Sequence, residues 1–294
     1  MLGLIGLGLV GSALVERFRA KGFEIAGYDI DPEKMKTHEG EGFVACKSPA
    51  EVADRARRVV LSLPDSHIVN EVVTGPKGTL STSSPGEIII DTTTADPQMS
   101  VQLAKQLERR SIRFLDATIL GSSKQVRESD VIVMAGGTLP VFELCTDIFE
   151  AFALQTFHMG PSGKGAETKL IANLILGLNR LVLAEGLVLA QKAGVDFNAL
   201  LDVLKMGGAY SRVMDTKGEK MVNSDFTTQA HLEQHLKDVE LILGLGARTK
   251  TPLPISALHA QLLRAGIAFG LAEKDNSAII EVLRKMAGIE TGSL

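Results

Sequence analysis

Lys169 and Asn173 stand four residues apart in a stretch otherwise filled by Leu170, Ile171, Leu174, Ile175 and Leu176. On a helix that spacing puts both side chains on one face, one turn apart, within reach of one small ligand. A lysine so placed can exchange a proton with a reacting oxygen, and the amide can hold the same ligand by a hydrogen bond. The ordinary alternative is a lysine that snorkels from the start of an apolar helix. Lys237 and Asp238 form a second charged candidate, for which a solvated pair on a later helix is the default. A third is Asp116-Ala117-Thr118-Ile119-Leu120-Gly121-Ser122-Ser123, which follows a candidate strand. Gly121, Ser122 and Ser123 offer N–H and hydroxyl donors to an anionic or hydroxylated ligand, although polar strand-to-loop turns of this kind are common.

A different chemistry is written at the N-terminus. The apolar run Met1 to Ile5 leads into Gly6-Leu7-Gly8-Leu9-Val10-Gly11, and a helical pattern follows with Leu14, Val15 and Phe18 inward. Strand, glycine turn and helix in that order suit a dinucleotide pyrophosphate: Gly6 for the tight turn, Gly8 for close backbone approach, Gly11 for helix–strand packing. A second candidate strand, Phe23 to Tyr28, ends in Asp29, where an acid can accept hydrogen bonds from the adenosine ribose hydroxyls. A 2′-phosphate would meet repulsion there, and Ile30-Asp31 brings no arginine, so NAD is expected over NADP. Asp29, Asp31 and Glu33 also satisfy the simpler description of an acidic helix start. His231 and His235 bracket Glu233 at metal-helix spacing, but no further ligand is evident, and a solvated or interface pair is expected instead of a metal site.

The elements that must position these residues fall into two sets. Up to about residue 160, short apolar runs alternate with helical stretches: candidate strands are 2–5, 23–28, 43–45, 59–63, 88–90, 113–116, 131–135 and 155–158. Pro49, Pro64, Pro76, Pro85 and Pro97 punctuate turns or first helical turns. Beyond Gly160-Pro161-Ser162-Gly163 only helical patterns are visible, at about 164–193, 198–206, 212–222, 229–247, 254–270 and 275–287. The expectation is a doubly wound α/β domain with a mostly parallel Rossmann-type sheet over 1–162, then an all-α domain over 163–294.

Composition narrows the partners. The 294-residue chain carries a net charge of −4, 45% apolar and 22% charged residues and no tryptophan, without a basic stripe, so nucleic acid is not expected. The strand and glycine turn begin at Met1, so no secretory leader is expected. The apolar stretch 170–190 is interrupted by Asn173, Asn179, Arg180 and Glu185 and reads as a buried helix, not a membrane span. Two cysteines, Cys46 and Cys145, suit a reducing, cytoplasmic setting.

Four blocks in this order resemble the β-hydroxyacid dehydrogenases over nearly the whole chain. Gly6 to Gly11 is similar to that family's cofactor fingerprint, with Val10 where methionine is common. Asp116 to Ser122, followed by Ser129-Asp130 and Gly136-Gly137, resembles the substrate loop and its sequel. Gly163-Lys164-Gly165 through Lys169 to Asn173 resembles the catalytic block, and Lys237-Asp238, preceded by Asp225-Phe226, the late-helix pair. The resemblance implies that Lys169 is the general acid/base, that Asn173 holds substrate, and that Lys237 closes over cofactor and substrate. It implies that Gly121, Ser122 and Ser123 hold a substrate carboxylate, that Leu63 and Pro64 line the nicotinamide side, and that Thr94 lies near the nicotinamide ribose. The activity implied is hydride transfer between NAD, or NADP, and a small 3-hydroxy acid or its semialdehyde, in a homodimer or homotetramer. Leu120 stands where the family's loop has serine before two glycines, Ser122 replaces the second glycine, and Ile68 stands where asparagine is frequent. The loop therefore points to an altered substrate. Two rivals are an imine-reducing relative, which usually lacks the lysine, and a non-catalytic cofactor-binding scaffold, expected to lose Lys169 or Asn173. A 6-phosphogluconate-type enzyme needs a longer helical domain.

Overall fold

A computed structural model describes residues 1–82 and 86–289, and Pro85 lies outside them. Internal contacts divide the chain into Met1–Lys169 and Leu170–Leu294. The first unit contains eight strands: β1 (Leu2–Ile5), β2 (Ile25–Tyr28), β3 (Phe43–Ala45), β4 (Arg58–Leu61), β5 (Ile88–Asp91), β6 (Arg113–Leu120), β7 (Ile132–Gly136) and β8 (Gln155–Gly160). Its helices are α1 (Leu9–Ala20), α2 (Pro32–Lys36), α3 (Pro49–Arg55), α4 (Ser66–Thr74), α5 (Pro97–Glu108), α6 (Ser123–Arg127), α7 (Leu139–Glu143) and α8 (Thr146–Phe149). The division falls within α9 (Lys164–Ala193), and the second unit continues with α10 (Phe197–Met206), α11 (Glu219–Val222), α12 (Leu232–Thr249), α13 (Pro254–Ala268) and α14 (Ile279–Met286).

The sheet order is β3-β2-β1-β4-β5-β6-β7-β8, with every pairing parallel except β6–β7. That order reverses between β1 and β4, the switch point outside whose strand ends doubly wound sheets bind their ligands. Strand side chains alternate between faces. Leu2 and Leu4 pack with Leu14, Val15 and Phe18 of α1 and with Phe149 and Phe152, while Ile5, Val59 and Leu61 pack with Val52 of α3 on the other face. A sheet buried on both faces explains the near-continuous apolar runs of the central strands. Pro49 and Pro97 occupy first helical positions behind Ser48 and Asp96, whose side chains accept from Glu51 and Gln98 N–H.

One expected boundary differs in a way that matters for the site. The strand expected over 113–116 runs on to Leu120, because Asp116 to Leu120 pair antiparallel with Gly136 to Ile132. Most of the segment read as a loop is thus strand. The turn begins at Gly121, whose φ of +150° favours glycine.

In the second unit, Leu181, Ala184 and Leu187 of α9 share a core with Leu232, Leu236 and Val239 of α12, Leu263 of α13 and Ile279, Ile280 and Val282 of α14. By length and composition α9 is apolar enough to cross a membrane. Leu181, Ala184, Leu187 and Arg180 are buried in the second unit, while Ile171, Ile175, Val182 and Leu189 are exposed, so the helix is buried on part of its circumference.

Candidate active site

The glycine turn is built as a dinucleotide cradle. Gly6 has φ +93°, and a Cβ there would lie 2.2 Å from the Ser62 carbonyl oxygen. A Cβ on Gly11 would lie 1.9 Å from the Gly6 carbonyl oxygen, so α1 and the turn close only around glycine at this position. Around Gly8 nothing lies within 4 Å of the corresponding point, which leaves backbone open to an approaching phosphate. Gly8 caps α1 without a side-chain hydrogen bond, and the first turn holds no acid, so the positive end of that helix faces an anion without competition. Leu7 is buried, Leu9 exposed and Val10 half-buried along the same turn.

Asp29 is buried and accepts from Leu7 N–H at 2.7 Å and from Asp31 N–H at 2.9 Å. Its carboxylate is thus tied to the glycine turn. The cap of α2 is Asp31, which accepts from Glu33 N–H at 3.0 Å, so the helix-start role falls to a different acid. Leu63 N–H donates to the Thr93 hydroxyl at 3.1 Å, and Thr93 N–H donates to Asp91 at 3.0 Å. The segment bearing Leu63 and exposed Pro64 is in this way pinned to the one bearing half-buried Thr94.

Lys169, 8% exposed, lies early in α9, whose start is clamped by a buried carboxylate. Asp116 in β6 accepts from Gly163 N–H at 2.7 Å and Ala166 N–H at 2.9 Å. These are orphan donors of a helix N-terminus, and a carboxylate among them also meets the favourable end of the dipole. Burial pushes the Asp116 carboxyl above its ordinary range, while the N–H groups of Gly163 and Ala166 pull it back. The Thr118 hydroxyl donates to Gly165 carbonyl at 3.0 Å, a second tie between β6 and this helix start. A Cβ on Gly165 would lie 2.2 Å from the Asp116 carbonyl oxygen, so contact this close needs glycine.

The strand that holds Lys169's helix also leads to Leu120, Gly121, Ser122 and Ser123. Ser122 caps α6 with a full capping box: its hydroxyl accepts from Gln125 N–H at 3.3 Å, and its own N–H donates to Gln125 Oε1 at 3.0 Å. Ser122 is therefore committed to the cap of α6, with both its N–H and its hydroxyl bonded to Gln125. The Ser-x-x-Gln spacing carried that signal in the sequence.

In the second unit, Asn173 Nδ2 donates to Asp238 Oδ2 at 3.0 Å, both groups buried. This corrects the solvated-pair expectation for Lys237 and Asp238: Lys237 Nζ lies 3.8 Å from Asp238, but the carboxylate faces inward to α9. His235 is likewise buried, its ring 5.1 Å from that of His259, and only His231 stands toward solvent, 2.9 Å from the Glu273 carbonyl oxygen. Among the described residues no group of three His, Cys, Asp or Glu is placed to hold a metal ion. Asp91 and Arg180, both buried, carried no site role in the sequence reading. Asp91 ends a strand otherwise made of isoleucine, and Arg180 interrupts an apolar helix, which were the available signals.

Comparison with known proteins agrees with this geometry. Residues 1–160 match the NAD binding domain of 6-phosphogluconate dehydrogenase, and residues 163–283 match the family described as NAD-binding of NADP-dependent 3-hydroxyisobutyrate dehydrogenase. The chain is 30% identical to 2-(hydroxymethyl)glutarate dehydrogenase of Eubacterium barkeri, over 98% of this chain and 96% of that protein. It is 29% identical to glyoxylate/succinic semialdehyde reductase 1 of Arabidopsis thaliana, over 96% of this chain and 98% of the relative. The crystal structure of 3-hydroxyisobutyrate dehydrogenase from Salmonella typhimurium superposes with a TM-score of 0.86 at 22% identity, over 96% of this chain and 99% of that one, a likeness of fold. With its cradle suited to NAD(P) and its two halves matching in order, the chain belongs to the β-hydroxyacid dehydrogenase family of NAD(P)-dependent oxidoreductases.

Proposed function

We propose that this protein interconverts a small 3-hydroxy acid and its semialdehyde, with NAD preferred as the hydride partner and Lys169 as general acid/base. The observation that carries the reading is Lys169 itself, a buried lysine on a helix whose start is fixed by the Asp116 carboxylate. Nicotinamide, when bound, supplies or accepts the hydride at the carbonyl carbon. Lys169 gives a proton to the developing alkoxide in reduction and takes it from the hydroxyl in oxidation, so each carbonyl gains one hydride and one proton. Asn173, one turn further along the same face of α9, accepts or donates a hydrogen bond to the substrate. Gly121 and Ser123 hold the carboxylate through N–H and hydroxyl donors, and Lys237 offsets its charge. Asp29 receives the ribose hydroxyls, while Leu63, Pro64 and Thr94 form the nicotinamide side. Lys169 and Asn173 also argue against an imine reductase or an inert scaffold.

The protein is further proposed to be a cytoplasmic homo-oligomer. Exposed Ile171, Ile175, Val182 and Leu189 recur along one stripe of α9, a surface suited to a second copy. Cys46 and Cys145 are buried free thiols, pushed up to about 11 and about 12 by desolvation, which suits a reducing compartment.

The test is a panel of 3-hydroxy acids and semialdehydes with each nicotinamide cofactor, read by absorbance of the reduced form. On the best substrate, Lys169→Ala is expected to lower kcat by roughly 100- to 10,000-fold while cofactor affinity changes little. A variant keeping more than about a third of wild-type turnover when chemistry limits the rate refutes the role of Lys169.

A further inference from the structure

The peptide groups on either side of Leu7 are held by two different parts of the first unit. Leu7 N–H donates to Asp29 Oδ2 at 2.7 Å, which fixes the Gly6–Leu7 peptide. At the next peptide the Leu7 carbonyl accepts from the Ser12 hydroxyl at 3.0 Å. Ser12 stands in α1, and its oxygen lies 3.1 Å from His38 Nε2. His38 follows α2 and is buried. Its backbone N–H donates to the Met35 carbonyl at 3.0 Å, its carbonyl accepts from Arg19 Nη1 at 3.4 Å, and its ring lies 5.7 Å from that of Phe43. The segment between β2 and β3 thus reaches back to the glycine turn through one imidazole and one hydroxyl.

Valence sets the direction of the protons along this chain of contacts. A carbonyl oxygen only accepts, so the single hydroxyl proton of Ser12 goes to Leu7, and a lone pair of the same oxygen receives the proton of His38 Nε2. An imidazolium also donates from Nε2, so the order holds in either charge state of the ring. The Leu7 carbonyl and the Gly8 N–H belong to one planar trans peptide, in which they point in opposite directions. Tying the carbonyl to Ser12 therefore turns the Gly8 N–H away from that hydroxyl. Among the described residues this N–H has no hydrogen-bond partner, and the space beside Gly8 is open.

We infer that His38 and Ser12 are positioning residues for the cofactor: their hydrogen-bond relay holds the Leu7–Gly8 peptide so that the Gly8 N–H is presented to the dinucleotide's phosphates. A serine hydroxyl by itself rotates among staggered positions, and the imidazole removes that freedom by engaging its lone pair. A peptide ordered before the ligand arrives does not have to be ordered by it, which is gained as affinity. The inference rests on the reading of Gly6 to Gly11 as the pyrophosphate cradle.

The experiment titrates the full chain with NADH, followed by the fluorescence of the reduced nicotinamide, and then displaces NADH with adenosine, which carries no phosphate. Ser12→Ala and His38→Leu are each expected to raise the NADH Kd by about 3- to 10-fold, the scale of one lost hydrogen bond. The adenosine constant is expected to stay within about twofold of wild type, because no phosphate contact is at stake. His38→Gln is expected to restore NADH binding, since its side-chain amide donates as Nε2–H does, and a packing role would not set it apart from leucine. In a Ser12→Ala background, His38→Leu is expected to add less than about twofold, because both residues act through one relay. Wild-type NADH affinity in Ser12→Ala, an adenosine constant that rises in step with that of NADH, a His38→Gln no better than His38→Leu, or effects that multiply overturns the inference. If His38→Leu does not fold, Ser12→Ala decides by its NADH and adenosine constants. Gly8→Ala separates the two readings. If it binds NADH as wild type does, the cradle reading and this inference fall together; if it binds weakly while Ser12→Ala binds normally, the inference falls alone.

Discussion

Asp91→Asn tests how the cofactor unit tolerates a carboxylate at the heart of its sheet. Asp91 ends β5 at 1% exposure and pairs in register with Asp116 on β6. Burial pushes its carboxyl up to about 7, with Asp116 adding to the rise and the Thr93 N–H and hydroxyl opposing it. Because the folded-state value lies above the unfolded value of 3.8, the folded chain holds a proton between those limits that the unfolded chain releases. Stability from this group is therefore greatest at low pH and falls as pH climbs, levelling off above about 7. Three pH units at about 1.4 kcal/mol each make the full effect roughly 4 kcal/mol. The substituted amide would keep an acceptor for Thr93 N–H and have nothing to titrate. Urea unfolding between about pH 5 and 8, followed by far-ultraviolet circular dichroism, measures this, and added NAD marks the transition of the cofactor unit by ligand linkage. The variant is expected to be the more stable protein at pH 8 and to show the flatter dependence. Wild-type and variant curves that run parallel over that range would falsify the reasoning.

Two further outcomes concern selectivity. At least about tenfold preference for NAD over NADP is expected, equivalent to about 1.4 kcal/mol, with Asp29→Ser eroding it chiefly by weakening NAD; equal or better kcat/KM with NADP in the wild type would show that Asp29 does not read the ribose. Leu120, half-buried at the end of β6, is expected to favour a carboxylate with apolar bulk, so Leu120→Ser should raise activity on the smallest hydroxy acids. A wild type already fast on tartronate semialdehyde and slowed by that change contradicts the argument.

The features legible in the sequence were those set by neighbours along the chain. Strand alternation, the turn at Gly6 to Gly11, proline at first helical positions and the long pattern of α9 each follow from a few residues' sterics and polarity. Asp29 was legible for the same reason, standing directly after a strand whose partner carries the glycines. What the tertiary structure decided depends on partners far away in the chain. β6 reaches Leu120 because β7 pairs with it, although Thr118, Gly121 and the serines read locally as a turn. Asp116 clamps the start of α9 through Gly163 and Ala166, a bond between segments no short window contains. His235 and Asp238 look solvated on a mixed helix, and Arg180 looks like a break in an apolar one. All three are buried because α9, α12 and α13 meet where Gly177 has no side chain, and a polar group's role inside a protein is set by which charges and donors packing brings to it.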